Sequence, residues 1–180
     1  IGDAVLDHYL IGRSSRLSRE APVPVVDVEQ AQSRPGAGAN VAMNVQSLGG
    51  RVRFLSVFSE DDNGQKLQAL LADGDVDNEH FVCAPRWPTP TKTRVLAAGS
   101  GRAPVHVARL DRGRAVSDAH ALLRLEAKLA AEVRKSALTL VVADYGLMMA
   151  PDLVRATEGA AQLLVDARQG LERYRKAAAV

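Results

Sequence analysis

The sequence predicts an α/β fold built on a parallel sheet, and three observations support this prediction. Stretches with strand character alternate with stretches of helical periodicity along most of the 180 residues. Three apolar stretches are each closed by an aspartate, at Asp7, Asp144 and Asp166. An extended segment within residues 13–28 comes before the first helix and indicates a small β appendage. Because parallel strands open their carboxyl ends onto one crevice, we expect the three acids along one sheet edge.

The composition excludes several classes of protein. Hydrophobic residues make up 47% and charged residues 24%, and the net charge is +2, so neither nucleic acid nor a membrane surface is an expected partner. Cys83 is the single cysteine, which excludes an intrachain disulfide and fits a cytoplasmic protein. No apolar run approaches the roughly 20 residues of a membrane span. The four histidines share no metal-ligand spacing, and no metal site is expected.

The first predicted strand covers residues 1–6 and ends at Asp7. An acid at that position is well placed for ligand contact, and the local alternative is a turn or capping aspartate. Residues 21–28 read as an extended segment at a sheet edge, because Pro22 and Pro24 interrupt hydrogen bonding at its start.

Residues 35–44 combine a small-residue turn with the start of a helix. Gly36 and Gly38 allow a sharp turn and a close approach of ligand to backbone. The helix supplies unpaired N–H groups, and the Asn40 amide both donates and accepts, so the stretch suits a hydroxyl-rich or anionic ligand. A tight loop leading into a core helix is the alternative. A dinucleotide-binding fingerprint is a weaker one, because its third glycine would fall at Val41.

The next elements are a helix over 39–48, a strand over 51–57, a helix over 65–71 and a short strand over 81–83. Acids in the polar loop 59–64 can cap the second helix, bind a metal or remain solvated, and solvation is the favoured interpretation.

Residues 91–96 alternate as a strand does, which places Lys92 and Arg94 on one face. Two adjacent cations suit a phosphate group. The alternative is a solvated edge strand that uses charge to prevent aggregation. A hairpin-like turn at residues 99–101 predicts that 105–110 pairs with this strand.

The last third alternates helix and strand again. Ser117 is the predicted cap of a helix over 118–135. Its core face carries apolar residues at helical spacing: Leu122, Leu125, Leu129 and Val133. A buried strand over 138–143, a helix from Pro151 to residue 161 and a strand over 163–165 complete the series.

The chain resembles the ribokinase-type (PfkB) carbohydrate kinases in motifs that follow the family's order across nearly its whole length. The matching stretches are residues 2–7, 15–25, 34–44, 48–49, 90–94, 109–111, 144–146, 166 and 172–175. Within the family it is most similar to the D-glycero-β-D-manno-heptose 7-phosphate kinase domain of bacterial ADP-heptose synthesis proteins.

The resemblance implies an incomplete Rossmann-like α/β/α core with a small β-sheet lid. Residues 1–180 would form the N-terminal part of one kinase domain, with lid excursions at about 13–28 and 91–111 and a homodimer through the lid. It also implies phosphoryl transfer from ATP, with Mg²⁺, to the anomeric hydroxyl of D-glycero-D-manno-heptose 7-phosphate, a lipopolysaccharide core precursor.

The resemblance further assigns binding positions. Asp7, Gly36 and Asn40 match positions that hold sugar hydroxyls, Ala37 belongs to the same turn, and Lys92 and Arg94 match the pair near the sugar's phosphate. Three further candidate site residues are Arg16, Asp111 and Asp144.

The chain departs from the family pattern at three places. The usual Pro-Gly-Gly-Ala-Ala-Asn turn has Ala37 and Gly38 at its third and fourth positions here. The usual Asp-Tyr-Gly-Lys-Gly continues with Leu147 and Met148, and the usual Asp-Pro-Lys is replaced over residues 166–168. These exchanges indicate a divergent sugar kinase.

The family's catalytic base is an aspartate in a Gly-Ala-Gly-Asp motif, which these 180 residues lack. We expect this base beyond Val180 in a longer protein, and we expect residues 1–180 alone to bind sugar phosphate weakly without turnover. The alternative is a non-catalytic, degenerate kinase that serves as a sugar-phosphate-binding or dimerising module.

Overall fold

Strands and helices alternate along the chain in the computed structural model, which describes residues 1–99, 101, 103–135 and 138–174. The strands are β1 (Ala4–Leu17), β2 (Pro24–Ala37), β3 (Val57–Phe58), β4 (Val82–Cys83), β5 (Thr91–Ala98), β6 (Val105–Arg112), β7 (Thr139–Asp144) and β8 (Gln162–Ala167). The helices are α1 (Gly38–Ser47), α2 (Asp62–Asp73), α3 (Ala119–Lys135), α4 (Pro151–Thr157) and a 3-10 turn, Leu171–Arg173.

Short parallel segments form the core sheet. β3 pairs with β4, and β7 pairs with β8, both in parallel. The start of the chain lies between these pairs, because Gly2 donates its N–H to the Leu55 carbonyl at 3.2 Å and forms a parallel bridge to Ala143. The order across the core is therefore β4, β3, residues 1–3, β7 and β8.

Helices cover both faces of this core sheet. Leu55 and Val57 pack into a buried cluster with Leu125, Leu129 and other residues of α3 and α4. Phe54 packs on the opposite side, into a cluster with residues of α1 and α2. The predicted α/β class is thus confirmed, with a three-layer α/β/α arrangement in the described residues.

A second sheet of four strands extends away from the core in the order β2-β1-β5-β6, and we call it the outer sheet. β1 is antiparallel to β2 and parallel to β5, and β5 is antiparallel to β6, so the predicted pairing of 91–96 with 105–110 is confirmed. The predicted turn between them includes Ser100, which lies outside the described residues.

The prediction that the first strand ends at residue 6 is wrong. β1 continues through Asp7 to Leu17, because it is hydrogen-bonded on both sides, to β2 and to β5. Asp7 is therefore neither a turn residue nor a helix cap. The same pairing makes β5 an interior strand, so the edge-strand interpretation of Lys92 and Arg94 is also wrong.

The observed bounds of two other elements differ from the predicted ones because of local hydrogen bonds. The predicted strand over 51–57 is reduced to β3 and a bridge between Arg53 and Asp77, because its residues bond to two different neighbours. α4 ends early at Thr157, whose hydroxyl bonds to the Val154 carbonyl at 2.7 Å.

Helix caps also differ from the predictions. α3 begins after Asp118, whose side chain accepts the Ala121 N–H at 3.0 Å, so Ser117 is not the cap. Asp61, expected to be solvated, caps α2 by accepting the Gly64 N–H at 2.8 Å. In the described part of the chain, no helix is both long and apolar enough to cross a membrane.

Candidate functional site

One face of the outer sheet gathers charged side chains from all four strands. Asp7 of β1 lies opposite Arg34 of β2 and Lys92 of β5, and Lys92 lies opposite Asp111 of β6. Partners directly across a sheet share a face, and residues two apart along a strand share it too. The next row on this face consists of Gln32, Tyr9, Arg94 and Arg109.

Asp7 and Arg94 form the least exposed ion pair of this face. Arg94 Nη1 lies 3.0 Å from Asp7 Oδ1, and the two side chains are 20% and 16% exposed. Both atoms are shielded from solvent, and neither has a correctly oriented hydrogen-bond partner among the described residues. The pair is held by charge attraction and retains hydrogen-bonding capacity for a polar ligand.

Gly36 gives the Asp7 carboxylate its room. A Cβ atom at Gly36 would lie between 2.7 and 3.0 Å from the carboxyl atoms of Asp7. The residue lies near the end of β2, opposite Val5. The glycine is therefore required by the close approach of Asp7 rather than by a turn.

The turn proper is at Ala37, which is the N-cap residue of α1. Its φ of 51° and ψ of −129° are rarely adopted by residues with a side chain, and no side chain caps the helix. Gly38 follows, and its N–H donates to the Asp3 carbonyl at 2.9 Å. Asn40 lies exposed in the first turn of α1.

Arg109 and Asp111 form a second, more exposed ion pair on this face. Arg109 donates two hydrogen bonds to Asp111, at 2.7 and 2.6 Å. This pairing, helped by Lys92 and Arg94, lowers the pKa of Asp111 below its usual value. Asp111 thus stays ionised among several cations.

Tyr9 supports two of the arginines. The guanidinium carbon of Arg94 lies 5.2 Å from the centre of the Tyr9 ring, and that of Arg34 lies 5.8 Å from it. Cation–π contacts at these distances orient a guanidinium without neutralising it. The sequence analysis did not predict three residues of this face: Tyr9, Arg34 and Arg109. Each lies two positions from a predicted site residue on the same strand, so the alternation of the strand could have placed it on this face.

Asp144 lies in a separate cluster at the carboxyl edge of the core sheet. It accepts hydrogen bonds from the Tyr174 hydroxyl at 2.7 Å and the Gly146 N–H at 3.0 Å, and it forms an ion pair with Arg173. Asp166 lies nearby on β8 and accepts from the Tyr145 hydroxyl at 2.7 Å, which raises the pKa of Tyr145 to about 12.

Asp3 is the acid that joins this edge in place of Asp7. It is 1% exposed, and its Oδ2 accepts N–H groups from Tyr145 at 2.7 Å and Leu147 at 3.1 Å. Burial, with a smaller contribution from Asp144, raises the pKa of Asp3 to about 6. The expected gathering of three acids therefore involves Asp3, Asp144 and Asp166.

Arg16 is not brought to either cluster. It lies nine residues beyond Asp7 on β1, about 30 Å along an extended strand. It is exposed, and its Nη2 lies 3.9 Å from Asp27 Oδ1. Among the described residues, no group of three or more His, Cys, Asp or Glu side chains is arranged to hold a metal.

Comparison with known proteins decides the family. The model of the pfkB family of carbohydrate kinases matches residues 1–132. The chain belongs to this family. Similar sequences include the bifunctional protein HldE of Aliivibrio salmonicida, 48% identical over 99 residues, which are 55% of this chain and 21% of that protein. HldE of Escherichia coli O157:H7 is 50% identical over 97 residues, 54% of this chain and 20% of that protein.

Solved structures agree on the fold. Phosphofructokinase-2 from Escherichia coli, in complex with fructose-6-phosphate, matches with a TM-score of 0.70 and 21% identity over 93% of this chain and 53% of its own. Ribokinase from Arabidopsis thaliana, complexed with ribose and ATP, has a TM-score of 0.60 and 16% identity over 94% of this chain and 52% of its own. The chain spans about half the length of these pfkB-fold structures and about a fifth of the HldE proteins.

Proposed function

We propose that this chain is the sugar-binding part of a kinase that acts on D-glycero-D-manno-heptose 7-phosphate, with the anomeric hydroxyl as the acceptor. The observation that supports this proposal most is the shared face of Asp7, Lys92 and Arg94, with Gly36 set against Asp7. A carboxylate accepts hydrogen bonds from sugar hydroxyls, and adjacent cations bind a phosphate. The similarity to HldE proteins supports the heptose branch over other pfkB members.

Every candidate site residue except Arg16 has a role in this proposal. Asp7 and Asn40 bind sugar hydroxyls, and Gly36 and Ala37 bring backbone close to the ring. Lys92 and Arg94 bind the phosphate of the sugar, with Asp111 beside them. Asp144 holds the loop 145–147 through Gly146 and its own partners, and Arg16 has no role in sugar binding.

ATP and Mg²⁺ are the implied co-substrate and metal, and ATP supplies the transferred phosphoryl group. Magnesium is commonly held by substrate phosphates and one or two carboxylates rather than by a cage of side chains. Among the described residues, Asp166 fits that mode, because it is an exposed carboxylate at the carboxyl edge of the core sheet. Asp144 lies at the same edge but is buried and occupied by Tyr174 and Arg173. The Gly-Ala-Gly-Asp base is absent from residues 1–180, so we expect sugar-phosphate binding by these residues without turnover.

A second candidate is a binding module that lacks kinase activity in any context. One observation favours it: Met148, which replaces a family glycine after Leu147, is 4% exposed and packs in the apolar cluster of α3 and α4. If this candidate is correct, a longer protein that carries these residues would stay inactive even with the double substitution Leu147→Lys/Met148→Gly, which recreates the family pattern. A longer protein carrying these residues that phosphorylates heptose 7-phosphate would exclude this candidate.

The outer sheet is also our proposed dimer surface. All eight residues of β6 are exposed, among them Val105, Val107 and Leu110. An exposed edge strand with apolar side chains pairs readily with another chain. Sedimentation should therefore show a dimer that Leu110→Asp weakens, whereas a monomer at all concentrations would contradict this part of the proposal.

Such a kinase works in the cytoplasm, where ATP and sugar phosphates are made.

The substrate proposal is tested by calorimetric titration with D-glycero-D-manno-heptose 7-phosphate and with the same heptose lacking phosphate. Lys92→Ala and Arg94→Ala should each weaken binding of the phosphorylated sugar by about tenfold or more, with a smaller effect on the free sugar. Arg155→Ala on α4 is the matched control, because Arg155 is an exposed arginine remote from the outer sheet. Equal losses for both sugars would contradict the phosphate assignment.

A further inference from the structure

The Asp111 carboxylate stands where several cations of the outer sheet converge. It is paired through two hydrogen bonds with Arg109 and lies directly opposite Lys92. Arg109 in turn lies opposite Arg94, and the negative charge of Asp7 is also felt at Arg109. Three cations from β5 and β6 therefore surround one carboxylate at the edge of the proposed phosphate site.

The charges of this face do not balance. Arg34, Lys92, Arg94 and Arg109 contribute four positive charges, and Asp7 and Asp111 contribute two negative ones. A phosphate monoester carries between about −1.5 and −2 charges at neutral pH. A single phosphorylated ligand therefore matches the excess charge of the two rows that hold these six residues.

The two acids differ in how easily each can release the arginine with which it is paired. Asp7 and its partner Arg94 are mostly buried, at 16% and 20% exposed. Asp111 and Arg109 are half-exposed, at 52% and 49%, and exposed ion pairs are weak. A guanidinium binds a phosphate with the same two-pronged geometry that it uses for a carboxylate. Arg109 can thus exchange Asp111 for a phosphate at little cost.

We infer that Arg109 is a further phosphate-binding residue and that Asp111 is a built-in competitor for it. The inference rests on the proposed function, and it names the ligand class as a phosphate monoester. Binding of the ligand moves Arg109 from the carboxylate to the phosphate. A ligand must therefore displace Asp111 to bind Arg109, and a neutral or weakly charged sugar does not carry enough negative charge to do so.

The test is a titration of the purified chain with inorganic phosphate and, separately, with D-glycero-D-manno-heptose 7-phosphate, at low ionic strength because salt screens exposed charges. Asp111→Asn should tighten binding of both ligands by about two- to fivefold. Arg109→Ala should weaken both by about tenfold, and Arg109→Lys by less, because lysine keeps the charge but lacks the planar fork.

Asp152→Asn on α4 is the matched control. Asp152 is 54% exposed and paired with Arg155, so this variant removes the same charge from a similar pair elsewhere. An equal gain in phosphate affinity from Asp152→Asn would show an effect of net charge alone and overturn the inference. In the double variant Arg109→Ala/Asp111→Asn, the gain from removing Asp111 should largely disappear. A gain as large as in the wild-type background would also overturn it.

The two proposals fail separately. A chain that binds inorganic phosphate with the expected Asp111→Asn gain, but binds no heptose phosphate, contradicts the proposed substrate and leaves the role of Asp111 supported. A chain that binds heptose phosphate with unchanged affinity in Asp111→Asn contradicts only the inference. Thermal unfolding of each variant checks that these surface changes leave the fold intact.

Discussion

A Cβ atom on Gly36 would lie 2.7 Å from the carboxyl carbon of Asp7. Carbon atoms in contact are ordinarily about 3.5–4.0 Å apart, so the two side chains compete for one space. The absence of a side chain at residue 36 therefore fixes where the Asp7 carboxylate lies relative to Arg94.

Gly36→Ala should displace Asp7 and weaken sugar binding by about tenfold, while the added methyl lowers the free energy of unfolding by about 1–3 kcal/mol. Calorimetric titration and urea unfolding measure the two effects. Gly99→Ala is the control, because a Cβ there meets nothing within 4 Å. A Gly36→Ala variant with wild-type sugar affinity would show that the position of Asp7 is unimportant.

Ala37→Gly should stabilise the chain. The φ of 51° at Ala37 costs an L-residue about 1–2 kcal/mol, and glycine loses roughly half of that gain through its freer unfolded state. We expect a net increase of about 1 kcal/mol in the free energy of unfolding. Ala39→Gly, at a fully buried position of α1 with ordinary backbone geometry, should destabilise instead. If both variants lose stability, Ala37 is not strained.

Asp3 should make stability fall as the pH rises from about 4 to about 6. Its pKa is about 6 in the folded chain against an ordinary value of 3.8, so in this window the folded state keeps a proton that the unfolded state releases. The full cost, reached near pH 7, is about 3 kcal/mol.

Asp3→Asn removes this titration and keeps an oxygen acceptor for the N–H groups of Tyr145 and Leu147. The stability of the variant relative to the wild type should therefore rise by about 3 kcal/mol between pH 4 and pH 7, as measured by urea unfolding at each pH. Asp152→Asn is the exposed control. Parallel pH profiles for wild type and Asp3→Asn would refute the raised pKa.

Asp61→Ala should lower the free energy of unfolding by about 2–3 kcal/mol. Asp61 caps α2 at Gly64 and also accepts the N–H and hydroxyl of Thr89, at 2.9 and 2.5 Å. These hydrogen bonds lower its pKa even though burial acts in the opposite direction. The cap is worth about 1 kcal/mol, and the link to Thr89 adds the rest.

Thr89→Val separates the two parts, because it loses the hydroxyl and leaves the cap of α2 intact. Asp62→Ala, at the first residue of α2, should change stability by less than about 0.5 kcal/mol. A loss from Asp62→Ala as large as that from Asp61→Ala would mean that helix-dipole charge, rather than the hydrogen bonds of Asp61, explains the effect.

Local spacing was enough to predict the parts of the site that lie on one element. The alternation around Lys92 and Arg94 predicted their shared face. The small residues after Pro35 predicted a close approach of ligand to Gly36, and the structure shows the Asp7 side chain close to this residue. The continuation of β1 was not predictable in the same way. Asp7 and His8 resemble a strand end, and the pairing that continues the strand comes from β2 and β5, up to 85 residues away.

The role of Asp3 was also not predictable from local sequence. Its partners Tyr145 and Leu147 are 142 and 144 residues away in sequence, so only the folded sheet brings them together. Arg109 and Asp111 are two residues apart, but the predicted strand ended at residue 110, and only the longer β6 places them on one face. What the pattern could not show is that Lys92 and Arg94 lie opposite them.

β1 carries register shifts between Ile11 and Gly12 and again between Arg13 and Arg16, both beyond the rows that hold Asp7 and Tyr9. Bulges increase the local twist and interrupt the regular ladder. We therefore expect changes at the distal tip of the outer sheet to have little effect on the charged rows. Insertions, fusions or labels placed around residues 17–24 should leave the face that carries Asp7 and Arg94 undisturbed. The tip is therefore a suitable place to attach this protein to a surface or to a label.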